Sequence, residues 1–161
     1  MYRYQILIEY VGTSFYGWQS QKKQITVQGT IEKVLKKILR EKVNLYGSSR
    51  TDSKVHAIEQ SAHFDVKNKI NNIKKFFNTL NFFLNRKLIT VVKINKRPLT
   101  FHARYSAKKR VYKYLIHNRE SLPSIDRDRG WYVKKKLDYK LIKQASHFLK
   151  GTHDLSAFRA S

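Results

Sequence analysis

The 161-residue sequence contains no cysteine. This absence excludes a cysteine nucleophile, a disulfide framework and a thiolate zinc site. Long apolar runs are missing too: no stretch approaches the roughly 20 residues of a membrane-spanning helix, and the apolar run over residues 2–10 is too short for a signal peptide. We therefore expect a soluble, cytoplasmic protein with no membrane partner.

Acidic residues are scarce, with 11 Asp and Glu against 34 Lys and Arg, which gives a formal net charge of +23. A positive field of this size attracts polyanions, so nucleic acid is the leading partner. A compositional bias toward Lys explains part of the excess equally well, and charge alone leaves the partner open. The apolar fraction of 41% is sufficient for a folded core rather than a disordered basic tail.

The spacing of apolar residues predicts an α+β fold. Alternating patterns predict strands over residues 2–10, 43–46, 58–66, 88–94, 110–118 and 131–133. Helical spacing predicts helices over 27–40, 71–84 and 138–149. On the third helix we expect an inward face made of Leu141, Ile142, Ala145 and Phe148. This order of elements favours a mainly antiparallel sheet with helices on one face.

The most informative segment is the polar run over residues 47–57, directly after a predicted strand. It contains Asp52 two residues after Arg50, in a background rich in Lys and Arg. An opposite charge at Arg50 would keep Asp52 ionised, as a nucleophilic or basic carboxylate requires. From spacing alone, a turn cap or a surface ion pair is the commoner outcome for two such residues. The segment by itself leaves both interpretations open.

Six blocks along the chain have recognisable sequences. They are FYGWQSQ at 15–21, VQGTIE at 27–32, GSSRTDSKVHA at 47–57, FHARYSA at 101–107, YKY at 112–114 and GTHDLSAFR at 151–159. In this order they resemble the signature segments of the tRNA pseudouridine synthase A family. Agreement of several blocks over nearly the whole chain is far more specific than the RTD tripeptide alone.

The resemblance implies the pseudouridine synthase fold, with this chain forming a ferredoxin-like half. It implies isomerisation of uridine to pseudouridine at positions 38–40 of the tRNA anticodon stem-loop, with no cofactor and no metal, by a protein that forms a homodimer. Asp52 is then the catalytic carboxylate, and whether it attacks C1′ or removes the 2′ proton stays open. Arg50 becomes the partner of Asp52, and Tyr112 is expected against the target uracil; a half-buried strand aromatic is the alternative for Tyr112.

A second set of residues is expected to contact RNA. These candidates are basic or aromatic and lie within the FHARYSA block or directly after it: His102, Arg104, Lys108, Lys109 and Arg110. A structural turn is an almost equally good interpretation of the block itself. Basic side chains in such positions typically bind phosphates.

Some features depart from the family pattern. Ser49 and Lys54 stand where the family usually has glycine. If position 54 requires a positive φ, Lys54 strains the loop that carries Asp52. Family members also continue for about another third of their length, so we expect residues 1–161 to be an N-terminal catalytic region that is weakly active or inactive alone. The alternatives are a truncated, inactive fragment and a non-catalytic basic RNA-binding module.

Overall fold

The computed structural model describes residues 1–158 and divides the chain into two units, Met1–Tyr112 and Lys113–Ser161. The first unit is built on a four-stranded antiparallel sheet in the order β2-β3-β1-β4. Its strands are β1 (Tyr2–Tyr10), β2 (Leu45–Gly47), β3 (Ala57–Val66) and β4 (Ile89–Arg97), and its helices are α1 (Val27–Leu39) and α2 (Ile73–Leu84). The α+β architecture predicted from the sequence is confirmed.

The two faces of this sheet differ in chemistry because successive strand residues point to opposite sides. On one face Tyr4 of β1 lies opposite Phe64 of β3, and the Phe64 ring contacts Phe76 of α2. These side chains belong to one buried apolar cluster with the inner faces of α1 and α2. On the other face Arg3 lies opposite Asp65, so this side of the sheet is polar.

Helix α1 is fixed at its start and tied to the edge of the sheet. The Thr26 hydroxyl accepts a hydrogen bond from the Gly29 amide and so caps the N-terminus of the helix. Gln28 donates to the Leu45 carbonyl at 3.0 Å, and Glu32 accepts from the Leu45 amide at 2.9 Å. These bonds position β2, the strand that leads into the Asp52 loop.

The second unit is small and has little interior. It contains a parallel pair of short strands, β5 (Ile116–Asn118) and β6 (Trp131–Val133), and one helix, α3 (Tyr139–His147), capped by Asp138. Among its described residues only Pro123 is buried. No helix within residues 1–158 is long and apolar enough to cross a membrane.

Two predictions for the C-terminal region are wrong. The strand predicted over 110–118 begins only at Ile116: residues 110–115 belong to no strand, although the Leu115 carbonyl accepts a hydrogen bond from the Trp131 amide at 2.7 Å. The predicted inward face of α3 is exposed, with Leu141, Ile142 and Phe148 at 61%, 45% and 82% accessibility and Ala145 also at the surface. In both cases the apolar pattern is present, but its side chains are exposed within residues 1–158.

Candidate active site

The loop over residues 48–56 carries Asp52 and is anchored at its centre by Thr51. The hydroxyl groups of Tyr10 and Thr51 are hydrogen-bonded at 2.8 Å, and the Trp18 amide donates to the Thr51 carbonyl at 2.9 Å. Tyr10 and Trp18 are themselves buried core residues. Burial raises the pKa of Tyr10, with the hydrogen bond to Thr51 acting in the opposite direction. The Tyr10 phenol therefore stays neutral. Asp52 directly follows Thr51, which these bonds fix to the core.

A second group of bonds fastens the loop after Asp52. The Phe15 carbonyl accepts from the Lys54 amide at 3.2 Å and from the Ser53 hydroxyl at 3.3 Å. Gly17 approaches the loop closely: its φ is +82°, and an added Cβ would lie 2.7 Å from the Thr51 carbonyl oxygen. Only glycine satisfies both conditions at position 17. The FYGWQSQ segment thus packs against the Asp52 loop and holds it in place.

Lys54 has a φ of 68°, in the left-handed region that disfavours side chains with a Cβ. The condition under which Lys54 strains the loop, a positive φ at position 54, is therefore met. The strain lies two residues after Asp52, in a loop that its backbone hydrogen bonds nevertheless hold in place.

Asp52 opens onto a cavity of about 320 Å³. The lining combines rings, amides, hydroxyl groups and two charges: Tyr16, Trp18, Gln19, Gln21, Gln24, Arg50, Thr51, Asp52 and Ser53. A volume of this size is at the small end of the range typical of ligand sites. Asp52 and Arg50 are both exposed within it.

The structure brings Asp52 and Arg50 to one cavity but does not join them. Among the ion pairs of residues 1–158, none links the two side chains within 4.0 Å. The predicted pairing of Arg50 with Asp52 is therefore not formed in this structure, because both side chains extend into solvent. The carboxylate oxygens of Asp52 remain available to another group.

Tyr112 does not line this cavity. Its side chain is 64% exposed, and it lies in the irregular segment where a strand was predicted. Arg110 is engaged nearer the site: its Nη2 donates to the Ser48 carbonyl at 3.0 Å and to the Arg104 carbonyl at 3.4 Å. Ser48 begins the Asp52 loop, so Arg110 connects the segment after FHARYSA to that loop.

The remaining RNA-contact candidates lie around the polar face of the sheet. Arg104 and Lys108 are exposed, and Lys109 lines a second cavity of about 200 Å³ together with Ser48 and Phe101. His102 packs against His63, with ring centroids 4.6 Å apart. Basic groups are thus available beside the polar sheet face.

An ion pair organises that polar face. Arg3 donates to both carboxylate oxygens of Asp65 at 2.7 Å and also to the carbonyls of Leu99 and Phe101. The hydrogen bond from Arg3 holds the pKa of Asp65 below its usual value. Burial lowers the pKa of His63 to about 4, with Arg3 adding to the effect. His63 is therefore neutral at physiological pH.

Several cavity residues were missed from the sequence, among them Tyr16, Gln21, Gln24 and Ser53. They belong to polar loops whose closure depends on the bonds to Phe15 and Thr51. The available signal was the FYGWQSQ block, which marked the segment but not its contact with the Asp52 loop. The last block, 151–159, is described only as far as Phe158, and Arg159 lies outside the described residues.

Comparison with known proteins identifies the family. A family model described as tRNA pseudouridine synthase matches residues 6–106, which include β2, β3, β4, the second half of β1 and the Asp52 loop. The chain belongs to the tRNA pseudouridine synthase family. It is 56% identical over 161 residues to tRNA pseudouridine synthase A of Pelagibacter ubique, a match that covers 100% of this chain and 65% of the relative.

Other members of the tRNA pseudouridine synthase family give the same correspondence. The tRNA pseudouridine synthase A of Thermoanaerobacter sp. is 44% identical over 159 residues, covering 97% of this chain and 63% of the relative. The tRNA pseudouridine synthase A of Neorickettsia sennetsu is 40% identical over 159 residues, a match that covers 99% of this chain and 65% of the relative. The chain thus spans slightly less than two thirds of the length of these relatives.

Proposed function

We propose that this chain carries the catalytic site for isomerising uridine to pseudouridine in tRNA, with Asp52 as the catalytic carboxylate. The observation that carries the proposal is the position of Asp52, exposed in the cavity of about 320 Å³ on a loop fixed to buried core residues. A carboxylate held in this way meets its substrate with little loss of conformational freedom. The name shared by the relatives points to the same reaction.

The reaction makes a specific demand on the carboxylate. The bond between ribose C1′ and base N1 breaks, the base turns, C5 bonds to C1′, and the proton at C5 is replaced by one at N1. Asp52 acts either by attack on C1′ or by removal of the 2′ proton, and both require an ionised carboxylate with a free lone pair. Because Arg50 does not pair with Asp52 in this structure, those lone pairs are accessible.

The cavity also offers groups suited to an extruded base. Turning a base out of its stack costs a few kcal/mol, which stacking on aromatic side chains partly offsets. The Tyr16 ring and the amides of Gln19 and Gln21 line the cavity, and Arg50 provides a cation for the RNA backbone. We propose Tyr112 as a further contact with the uracil, which requires residues 110–115 to move beside the cavity.

Family resemblance and charge support a more detailed proposal. We place the target uridines in the anticodon stem-loop, the reaction in the cytoplasm, and the active form in a homodimer of the longer protein. The net charge of +23 favours a polyanionic substrate, and the exposed Lys108, Lys109 and Arg104 are available to bind phosphates.

Tritium release from a tRNA transcript labelled at C5 of uridine tests this proposal. The 161-residue chain is compared with Asp52→Ala and Asp52→Asn, and a chimera extended with the C-terminal third of the Pelagibacter relative is tested in parallel. We expect release that requires Asp52, with tRNA affinity unchanged, because removing a carboxylate does not weaken phosphate binding. If the chimera released no tritium while binding tRNA, the chain would be an RNA-binding module instead.

A further inference from the structure

We propose that an aromatic stack on the polar face of the sheet, formed by Tyr46, His63, His102 and Tyr105, is a platform on which unpaired RNA bases stack, separate from the Asp52 cavity. The proposal rests on the proposed function only in taking tRNA as the RNA. None of these four side chains lines the Asp52 cavity.

The four rings form a continuous series. Tyr46 and His63 are stacked, with centroids 5.1 Å apart and planes at 21°. His63 meets His102 edge-on at 4.6 Å, and His102 lies 4.4 Å from Tyr105 with planes at 34°. Tyr46 is also 6.0 Å from His102, so the series is compact. Such spacings are typical of interacting aromatic pairs.

The series is fixed at its centre. His63 is 1% exposed and accepts a hydrogen bond from the Ala103 amide at 3.1 Å. His102 accepts from the Arg104 amide at 3.2 Å, while the His102 amide donates to the Ser106 hydroxyl at 3.1 Å. A surface ordered in this way loses little entropy when a ligand binds.

The two ends of the series are open. Tyr105 is 79% exposed and Tyr46 is 46% exposed, so each presents ring surface to a ligand. The central His63 has a pKa of about 4 and adds no charge there at neutral pH. An aromatic platform suits the faces of nucleobases, which stack with little regard to sequence.

The surroundings favour RNA as the ligand. Arg104 immediately precedes Tyr105, and Lys108 and Lys109 follow it closely, all three exposed. Rings beside cations are the combination by which single-stranded nucleic acid is held: bases stack while phosphates meet the positive charges. Tyr46 is six residues before Asp52, a reach of at most about 22 Å along the chain. A base on the platform and a uridine in the cavity can therefore belong to one stem-loop.

Binding of two RNAs to three variants tests the platform. The RNAs are an anticodon-arm hairpin and a blunt duplex of equal length, at one salt concentration, followed by fluorescence anisotropy. The variants of the 161-residue chain are Tyr105→Ala, Tyr105→Phe and, as the matched control, Phe82→Ala, which removes a ring that is 62% exposed on α2. Because stacking needs unpaired bases, the ring should matter only for the hairpin.

We expect Tyr105→Ala to bind the hairpin about tenfold more weakly, whereas Tyr105→Phe and Phe82→Ala stay within about twofold of the parent chain. Affinity for the duplex should be the same for all. Unchanged hairpin affinity in Tyr105→Ala, an equal loss for the duplex, or a loss in Tyr105→Phe as large as in Tyr105→Ala would each overturn the platform. If the proposed function failed instead, Tyr105→Ala would still weaken hairpin binding, but no Asp52-dependent tritium release would be found.

Discussion

Helices α1 and α3 have similar amphipathic patterns and different surroundings. Helix α1 buries Val27, Ile31 and Leu35 against the sheet, whereas α3 buries none of its residues. Both helices have side-chain N-caps, at Thr26 and Asp138, so local signals do not separate them. The difference lies in what is available to cover the apolar face, because most helical stability in proteins comes from packing.

The same contrast applies to the two units as wholes. Unit Met1–Tyr112 has one apolar cluster under a four-stranded sheet. The described part of the second unit has a two-stranded sheet and α3, and Pro123 is its one buried residue. An isolated pair of strands is marginally stable in water. The folding free energy of the chain therefore resides in the first unit, which also carries the Asp52 loop.

The largest expected effect on stability is a core truncation. Leu35→Ala removes a side chain that is 0% exposed in the first unit and should lower the free energy of unfolding by about 3 kcal/mol. Leu141→Ala, the matched change on α3, removes a side chain that is 61% exposed and should change it by less than about 0.5 kcal/mol. Urea unfolding followed by circular dichroism measures both. Equal losses would abolish the contrast between the units.

The next effect is a pH dependence caused by His63 in the first unit. Its pKa is about 4 in the folded state against an ordinary 6.5, so between these values the unfolded chain binds more protons. The free energy of unfolding should therefore fall by about 2 kcal/mol as the pH drops from 6.5 to 4.5. Urea unfolding across this range tests it. In His63→Asn, whose side chain does not titrate, the free energy of unfolding should depend less steeply on pH. An unchanged pH dependence would mean that groups other than His63 cause it.

A smaller difference is expected between an ion pair of the first unit and one of the second. Arg3 and Asp65 in the first unit are 16% and 17% exposed and 2.7 Å apart, whereas Arg129 and Asp126 in the second are 60% and 45% exposed and 4.0 Å apart. Arg3→Ala should lower the free energy of unfolding by about 1.5 kcal/mol, because Asp65 loses its ion pair and two backbone carbonyls lose a hydrogen-bond donor. Arg129→Ala should cost less than about 0.5 kcal/mol. Thermal unfolding of the two variants compares them, and a larger loss in Arg129→Ala would contradict the structure.

The smallest expected change is a gain. Lys54→Gly relieves a side chain held at a φ of 68° and should raise the free energy of unfolding by about 0.5 kcal/mol, after allowing for the greater flexibility of the unfolded glycine chain. Lys54→Ala retains the Cβ and serves as the control, for which no such gain is expected. If alanine stabilised the protein as much as glycine, the effect would come from the Lys side chain rather than from the backbone.

Sequence reasoning succeeded where pattern and partner lie in the same unit. The strand predicted over 2–10 is β1, and the helix predicted over 27–40 differs from α1 by one residue, because both pack on neighbours within Met1–Tyr112. It failed at 110–115 and on the face of α3, because periodicity shows which side is apolar and not whether another element covers it. A strand also needs a hydrogen-bonding neighbour, which alternation cannot reveal.

For the candidate site, the sequence was informative about chemistry and less so about geometry. Asp52 and Arg50 were identified and do share a cavity, and the family glycine at position 54 raised the question of a positive φ, which Lys54 has. The ring series through His63 was not predicted from the sequence. It joins β2, β3 and the FHARYSA segment, and 59 residues of sequence separate Tyr46 from Tyr105. Contacts so distant in sequence depend on strand register.

The most direct test of the account is to map pseudouridine in an unmodified tRNA transcript incubated with excess protein. The chain and the chimera with the Pelagibacter C-terminal third are each compared with Asp52→Asn and with Asp126→Ala, which removes a carboxylate from the second unit. We predict pseudouridine in the anticodon arm with the chimera and with its Asp126→Ala variant, little or none with the 161-residue chain alone, and none with Asp52→Asn at equal RNA occupancy. Pseudouridine formed equally well by Asp52→Asn would contradict the assignment of Asp52 as the catalytic carboxylate.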